Sequence, residues 1–373
     1  MLDPIIQFIQ GIFSAIGRGV GIVIAWLLFP FLSASRWYAS RGLVIKAVVG
    51  LVLVILAVIY IHFIWITQVW TGFNPDYITA YKLGERKHSA GVELPATDAA
   101  AAKKCQPSAI VDIAAGLIDM EVNQNTWISA TPVYKAGFFG LDWDHTPFLD
   151  NKASFQRGVN QAVRRTTIEL VDSLARVRGT SGINNTLQEA RQNMQYDEAS
   201  WYVSFSPFGF RTPTSSVYRE AVKQLKTFND ELTDCKSTFD GRSDNLLEFL
   251  DRISNDLGNT SNILKERSEN YNAGWFDTRA DDRFWFAYGQ LYGYYGILAG
   301  ARSDFSATIT ERNLGALWTT MLSRFRAALN IQPLIISNGA EDGMLMPAHL
   351  ATEGFYLLNA RTSLTEIRDV LDR

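Results

Sequence analysis

The stretch GLDWDHTPFLDN, residues 140–151, sets three carboxylates and an imidazole close together: Asp142, Asp144, His145 and Asp150. Oxygen ligands joined by one imidazole suit a divalent cation. The spacing departs from a calcium-binding EF-hand loop, which needs a glycine at its sixth position and a glutamate at its twelfth. The same residues also read as turn and helix-cap chemistry, since Asp150 or Asn151 directly precedes a helical run. His145 with Asp142 or Asp144 is the pairing offered for a hydrolase or transferase, and nothing in the sequence supports a Ser–His or Cys–His arrangement. The chain carries no nucleophile elbow, phosphate loop, HExxH or CxxC motif. No catalytic residue is assigned and no cofactor is expected, so the reading leans away from an enzyme.

A second group is cationic. The run 157–178 carries Arg157, Arg164, Arg165, Arg176 and Arg178 beside Glu169 and Asp172. Arg165 with Glu169, and Asp172 with Arg176, stand four apart and are expected to pair along one helix face. Arg164, Arg165, Arg176 and Arg178 are candidates for an interaction surface, with a solvated salt-bridge face as the plain alternative. A third group is aromatic. RFWFAYGQLYGYYGILAGA, residues 283–301, has no charge after Arg283, and its glycines fall at 289, 293, 296 and 300. That spacing puts the glycines on one helix face and calls for a closely packed neighbour. The stretch is expected to be the central helix of a bundle. A ligand or partner groove lined by Trp285, Tyr288, Gly289, Tyr292, Gly293 and Tyr295, and contact with a membrane, are the other options.

These groups need elements to position them, and the chain divides into two unlike regions. Residues 47–66, AVVGLVLVILAVIYIHFIWI, are twenty residues without a formal charge. At ~1.5 Å per residue they span a ~30 Å hydrocarbon core. Tyr60, Trp65 and Trp70 sit where interfacial aromatics belong. Arg18, Arg36, Arg41 and Lys46 precede the span, which places the N-terminus in the cytoplasm and the remainder outside by the positive-inside rule. The span is expected to remain as an uncleaved signal anchor. Residues 4–32 pattern as an amphipathic helix in the membrane interface, ending near Pro30, with a two-span hairpin as the alternative. Gly17, Gly21 and Ala25 form a small-residue face suited to close helix contact.

The expected divisions are 1–41, a cytoplasmic or interfacial segment; 42–70, the transmembrane helix; 71–104, a linker; and 105–373, an all-α domain in the periplasm. In that domain apolar periodicity predicts helices over 108–124, 151–178, 185–196, 214–236, 243–268, 279–302, 308–329 and 347–371. No strand alternation is expected. Arg176, Arg178 and Gly179 read as the cationic last turn and glycine cap of the second helix. The fold class is all-α, an N-terminal membrane anchor plus an elongated multi-helix bundle. Cys105 and Cys235 are the two cysteines of the 373-residue chain. An even count in an exported domain points to one disulfide, with two buried thiols as the alternative. The bridge would close a loop of about 130 residues and contribute ~4–5 kcal/mol. With 20% charged residues and a net charge of −3, the composition gives no support to nucleic-acid binding.

DNKASFQRGVNQAVRRTTIELVDSLARVRGTS, 150–181, followed by LQEARQNMQYDEASWYV, 187–203, resembles a family of bacterial inner-membrane proteins catalogued as domain of unknown function 2333. The resemblance extends to the N-terminal span. It implies a bacterial, membrane-anchored protein and supplies no catalytic residues. The combined expectation is a scaffold or assembly protein of the bacterial cell envelope in the inner membrane. Its partners would be membrane lipid and an envelope or inner-membrane protein, self-association included. The alternatives are a lipid- or glycan-binding module, or an envelope hydrolase using His145.

Overall fold

The structure is a computed structural model that describes residues 22, 25, 26, 28–95, 102–176, 182–205 and 207–373. The amphipathic pattern over 4–21, the glycines at 17 and 21, and the Arg178–Gly179 helix end lie outside the described residues. The described chain is predominantly helical, with almost no sheet. It separates into two units, Met1–His62 and Phe63–Arg373.

In the first unit, residues 28–39 are helical and run through Pro30. Pro30 was expected to end this helix, but proline is tolerated where the chain can bend or leave one donor unmade. Helix α1, Leu43–Gln68, follows. It is long and apolar enough to cross a membrane. Along it Phe63 and Thr67 alone are buried. The Tyr38 hydroxyl donates to the Lys46 carbonyl at 3.0 Å.

The second unit is a helical bundle. Helix α2, Ala109–Asp119, continues into one π turn, Met120–Gln124. Helix α3, Asn151–Glu169, likewise ends in a π turn, Leu170–Leu174. Helices α4, Asn185–Met194, and α5, Thr214–Thr233, form a pair. Helix α6, Ser243–Asn270, precedes α7, Ala280–Asp304. The helix expected over 308–329 is two pieces, Ser306–Glu311 and α8, Gly315–Ala328. The break falls at Asn313, whose φ of 53° is left-handed and stops a helix. Helix α9, His349–Leu371, closes the chain. A two-stranded hairpin, β1 Val203–Phe205 with β2 Phe208–Phe210, corrects the expectation of no strand. Three residues per strand are too few to show alternation.

Helix α7 is the core. Tyr288, Tyr292 and Tyr294 are fully buried along it, and α3 packs along its length. Gly289 faces the backbone carbonyl of Phe155, Gly293 the methyl of Ala162, and Gly300 the backbone of Ala109 and Ile110. From the other side Gly158 of α3 meets the backbone of Phe286 and Gln290. The glycine face is therefore a surface of backbone-to-backbone approach. Residues 71–95 pack on the same helix. Tyr77 stacks on Tyr292 at 4.5 Å between centroids, and its hydroxyl donates to the Tyr292 carbonyl at 2.7 Å.

Cys105 and Cys235 form a disulfide, with Cα atoms 5.3 Å apart. Close by, Asp304 at the end of α7 accepts from Ala109 N at 2.7 Å, Ile110 N at 2.9 Å and the Ser108 hydroxyl at 2.6 Å. Ser108 also caps α2 as expected, accepting from Val111 N. At the opposite end of the unit, the start of α3 meets both the last residues of α1 and the start of α7, and the candidate site lies there.

Candidate functional site

Asp144, Asp150 and Asp282 converge. One carboxylate oxygen from each lies within 4.8 Å of the other two. Three separate elements deliver them. Asp144 sits on the 3-10 turn Trp143–His145, Asp150 immediately before α3, and Asp282 in the first turn of α7. The turn is pinned by Trp143, whose indole N–H donates to the Val133 carbonyl at 2.9 Å and whose ring lies 4.8 Å from that of Phe63. Tyr134 donates its hydroxyl to Asp144 Oδ1 at 3.1 Å, and Ser154 donates to Asp282 Oδ1 at 2.8 Å.

Asp150 occupies the N-cap position of α3, yet its side chain makes no capping bond. It is 0% exposed, and neither carboxylate oxygen has a hydrogen-bond partner. Burial, reinforced by the charges of Asp282 and Asp281, pushes its carboxyl up to about 10. Asp281, also buried, has an Oδ2 without a partner. Burial and then Asp282 raise it to about 7. Burial raises Asp282 as well, with Ser154 acting against it. The compensating cations are few. Arg157 donates Nε to Ser129 Oγ at 3.1 Å and holds its guanidinium 5.9 Å from the Tyr134 ring centre.

Of the residues singled out from sequence, Asp144 and Asp150 are brought together. Asp142 is exposed and makes no capping bond. His145 is exposed, and its Nδ1 lies 3.0 Å from Thr278 Oγ1. Asp282, which completes the cluster, and its neighbour Asp281 read in the sequence as mere flanking charges of an apolar run. Lys152 was also overlooked. Its ammonium donates to the Ile66 carbonyl at 2.9 Å, the Val69 carbonyl at 2.7 Å and Asn125 Oδ1 at 2.9 Å. It thus satisfies carbonyls that the end of α1 leaves open.

The arginines are spent between helices. Arg165 does not pair with Glu169: it holds Asp256 of α6 through two bonds, at 3.1 and 3.0 Å. Arg164 donates to the Met194 carbonyl at 2.9 Å and to Glu198 at 3.1 Å. Arg176 donates to the backbone carbonyl of Asp172, while the Asp172 carboxylate takes Arg191 at 2.9 Å. A bidentate pair with a buried acceptor outcompetes an exposed pair along one helix, which contributes only ~0.2–0.5 kcal/mol. The aromatic positions are filled in the same sense. Tyr288 and Tyr292 are enclosed, Tyr295 is nearly so, and Gly289 and Gly293 carry neighbouring helix atoms where a groove would open. Tyr288 donates to the Leu329 carbonyl at 2.8 Å and Tyr292 to the Asn74 carbonyl at 3.0 Å.

Fold and site together define an all-α protein with, among the described residues, one apolar helix able to span a membrane, and a bundle whose carboxylate cluster adjoins the end of that helix. The chain belongs to the family described as "Uncharacterized protein conserved in bacteria (DUF2333)", which it matches over residues 40–273. No curated protein and no solved structure matches it.

Proposed function

We propose that this protein is an anchored scaffold of the bacterial cell envelope. In this reading α1 crosses the inner membrane, residues 1–41 are cytoplasmic, and the helical unit stands in the periplasm against the outer face of the bilayer, where it assembles with envelope proteins. The observation that carries it is where the unit exposes its large apolar side chains. Hydrogen bonds tie residues 66–71 to Lys152 and Asn125, Trp127 to Glu198, His145 to Thr278, and Asp277 to Asn338. The loops bearing these residues therefore gather at one end, with the last turn of α1. On them lie Phe139 at 72% exposed, Phe210 at 87%, Phe276 at 80% and Met344 at 93%. Among the described residues the disulfide end shows far less, with Val92 and Ile183 under half exposed. Apolar side chains in such number mark a surface that meets lipid or protein, and aromatic ones suit the membrane interface.

Because both native cysteines are bridged, a Phe139→Cys substitution supplies a single thiol for an environment-sensitive dye. In proteoliposomes the dye is expected to emit to the blue and to be quenched by spin-labelled lipid, while a dye at Ile183→Cys stays in water. Equal quenching at both positions, or at neither, overturns the seating on the bilayer. A C-terminal alkaline phosphatase fusion is expected to be active. An inactive fusion in a protein that still inserts reverses the orientation. The assembly role is read by crosslinking from Phe210: a stoichiometric adduct with an envelope protein is expected, and crosslinks to lipid alone remove it.

A further inference from the structure

We propose that Asp144, Asp150 and Asp282 form a binding site for a hard divalent cation, Ca²⁺ foremost. Carboxylate oxygens coordinate Ca²⁺ at ~2.3–2.6 Å. Oxygens within 4.8 Å of one another are therefore close enough to share one ion. The donor set is carboxylate throughout, with the His145 ring turned to Thr278, so thiolate- and imidazole-seeking metals find nothing to prefer.

Acidic residues often crowd helix starts as caps, and the decisive observation is that this is not what Asp150 does. It stands at the N-cap position without capping, it is 0% exposed, and both of its oxygens lack a donor. A buried polar group without a partner is a rarity that calls for one. Asp281, whose charge acts on Asp150, adds a third bare oxygen, its Oδ2. The other two ligands are pre-oriented from outside the site, Asp144 by the Tyr134 hydroxyl and Asp282 by the Ser154 hydroxyl, each through one oxygen. Such outer partners fix ligand geometry in known metal sites. Asp144 and Asp282 are half-buried, which leaves room for water to complete the six to eight ligands that Ca²⁺ takes. The bound ion would clamp three parts of the unit: the turn at 143–145, the start of α3 and the start of α7.

The test uses the full-length protein in detergent, freed of metal by chelation. Tb³⁺ replaces Ca²⁺ in oxygen sites, and Trp143 beside Asp144 is placed to sensitise its emission. Saturable Tb³⁺ emission is expected, displaced by Ca²⁺ and accompanied by a Ca²⁺-dependent rise in the unfolding midpoint. Asp150→Asn and Asp282→Asn are each expected to weaken binding by more than ~10-fold, the loss that even outer partners of metal ligands cause. Asp142→Asn should leave it unchanged. Should a substituted chain fail to fold, the wild-type midpoint with and without Ca²⁺ still decides. A folded wild-type protein with neither saturable emission nor a shifted midpoint overturns the site, as does wild-type affinity in Asp150→Asn and Asp282→Asn.

Discussion

Glu121 lies inside the helical unit, where its Oε2 accepts a single bond from Gln156 Nε2 at 2.8 Å. Burial pushes its carboxyl up to about 7, against the pull of Gln156 and Lys152. Burial likewise lifts Glu169 to about 7 and Asp304 to about 6, and carries Glu353 well above its ordinary range. Each folded-state value is raised, so the folded protein holds protons that the unfolded chain has released. Stability from these groups is complete below about pH 4 and is lost as pH climbs through 6 and 7. His349 and Lys152, lowered by burial, act the other way, but the raised carboxyls, Asp281 among them, outnumber them. Unfolding midpoints are therefore expected to fall between pH 5 and pH 8. Glu121→Gln keeps the acceptor for Gln156 and removes a charge whose burial costs roughly 3 kcal/mol at high pH. The variant should be more stable than wild type at pH 8 and near it at pH 5. A parallel pH profile for the two proteins would show that Glu121 ionises freely in the fold.

At the scale of elements, the contact of α3 with α7 decides the bundle. A methyl group at Gly289 would meet the Phe155 carbonyl, and one at Gly158 the backbone of α7. Overfilling a tight contact costs ~1–3 kcal/mol, and the better helix propensity of alanine returns only ~1. Gly289→Ala and Gly158→Ala are expected to destabilise the unit. Gly315, at the start of α8, has open space around its Cβ position, so Gly315→Ala should be neutral or slightly stabilising. Denaturant midpoints separate the two cases, and equal effects at all three glycines would deny that α3 and α7 approach through them. The spacing of the glycines in α7 already required a close neighbour. Nothing in it named α3 as that neighbour, because Gly158 is the lone glycine of α3 and shows no matching spacing.

For the molecule as a whole, the disulfide and the carboxylate cluster lie at opposite ends of the helical unit. The bridge joins the segment leading into α2 to the end of α5. Breaking it with Cys105→Ser is expected to cost ~2–5 kcal/mol, measured as a lowered unfolding midpoint under non-reducing conditions. The same loss should follow from a reductant in wild type and not in the variant. A variant as stable as wild type would leave the bridge without a part in holding that end.

Local pattern was enough to establish several features of this protein: an apolar helix long enough for a membrane, an all-α remainder, a central helix at 283–301, and a cysteine pair whose even number implied its bond. Each depends on composition or on spacing within a single element, which a linear chain displays directly. The tertiary structure alone decided which charges meet. Asp282 joins Asp144 and Asp150 from another helix, Arg165 leaves Glu169 for Asp256, and Lys152 turns to the end of α1. Such partners are far apart in the chain, and the energy that selects them comes from burial, which removes water as the competing partner. Asp150 shows the difference most plainly. Its position before a helix suggested a cap, and only the packing of α3 against α7 left it enclosed, uncapped and facing two other carboxylates.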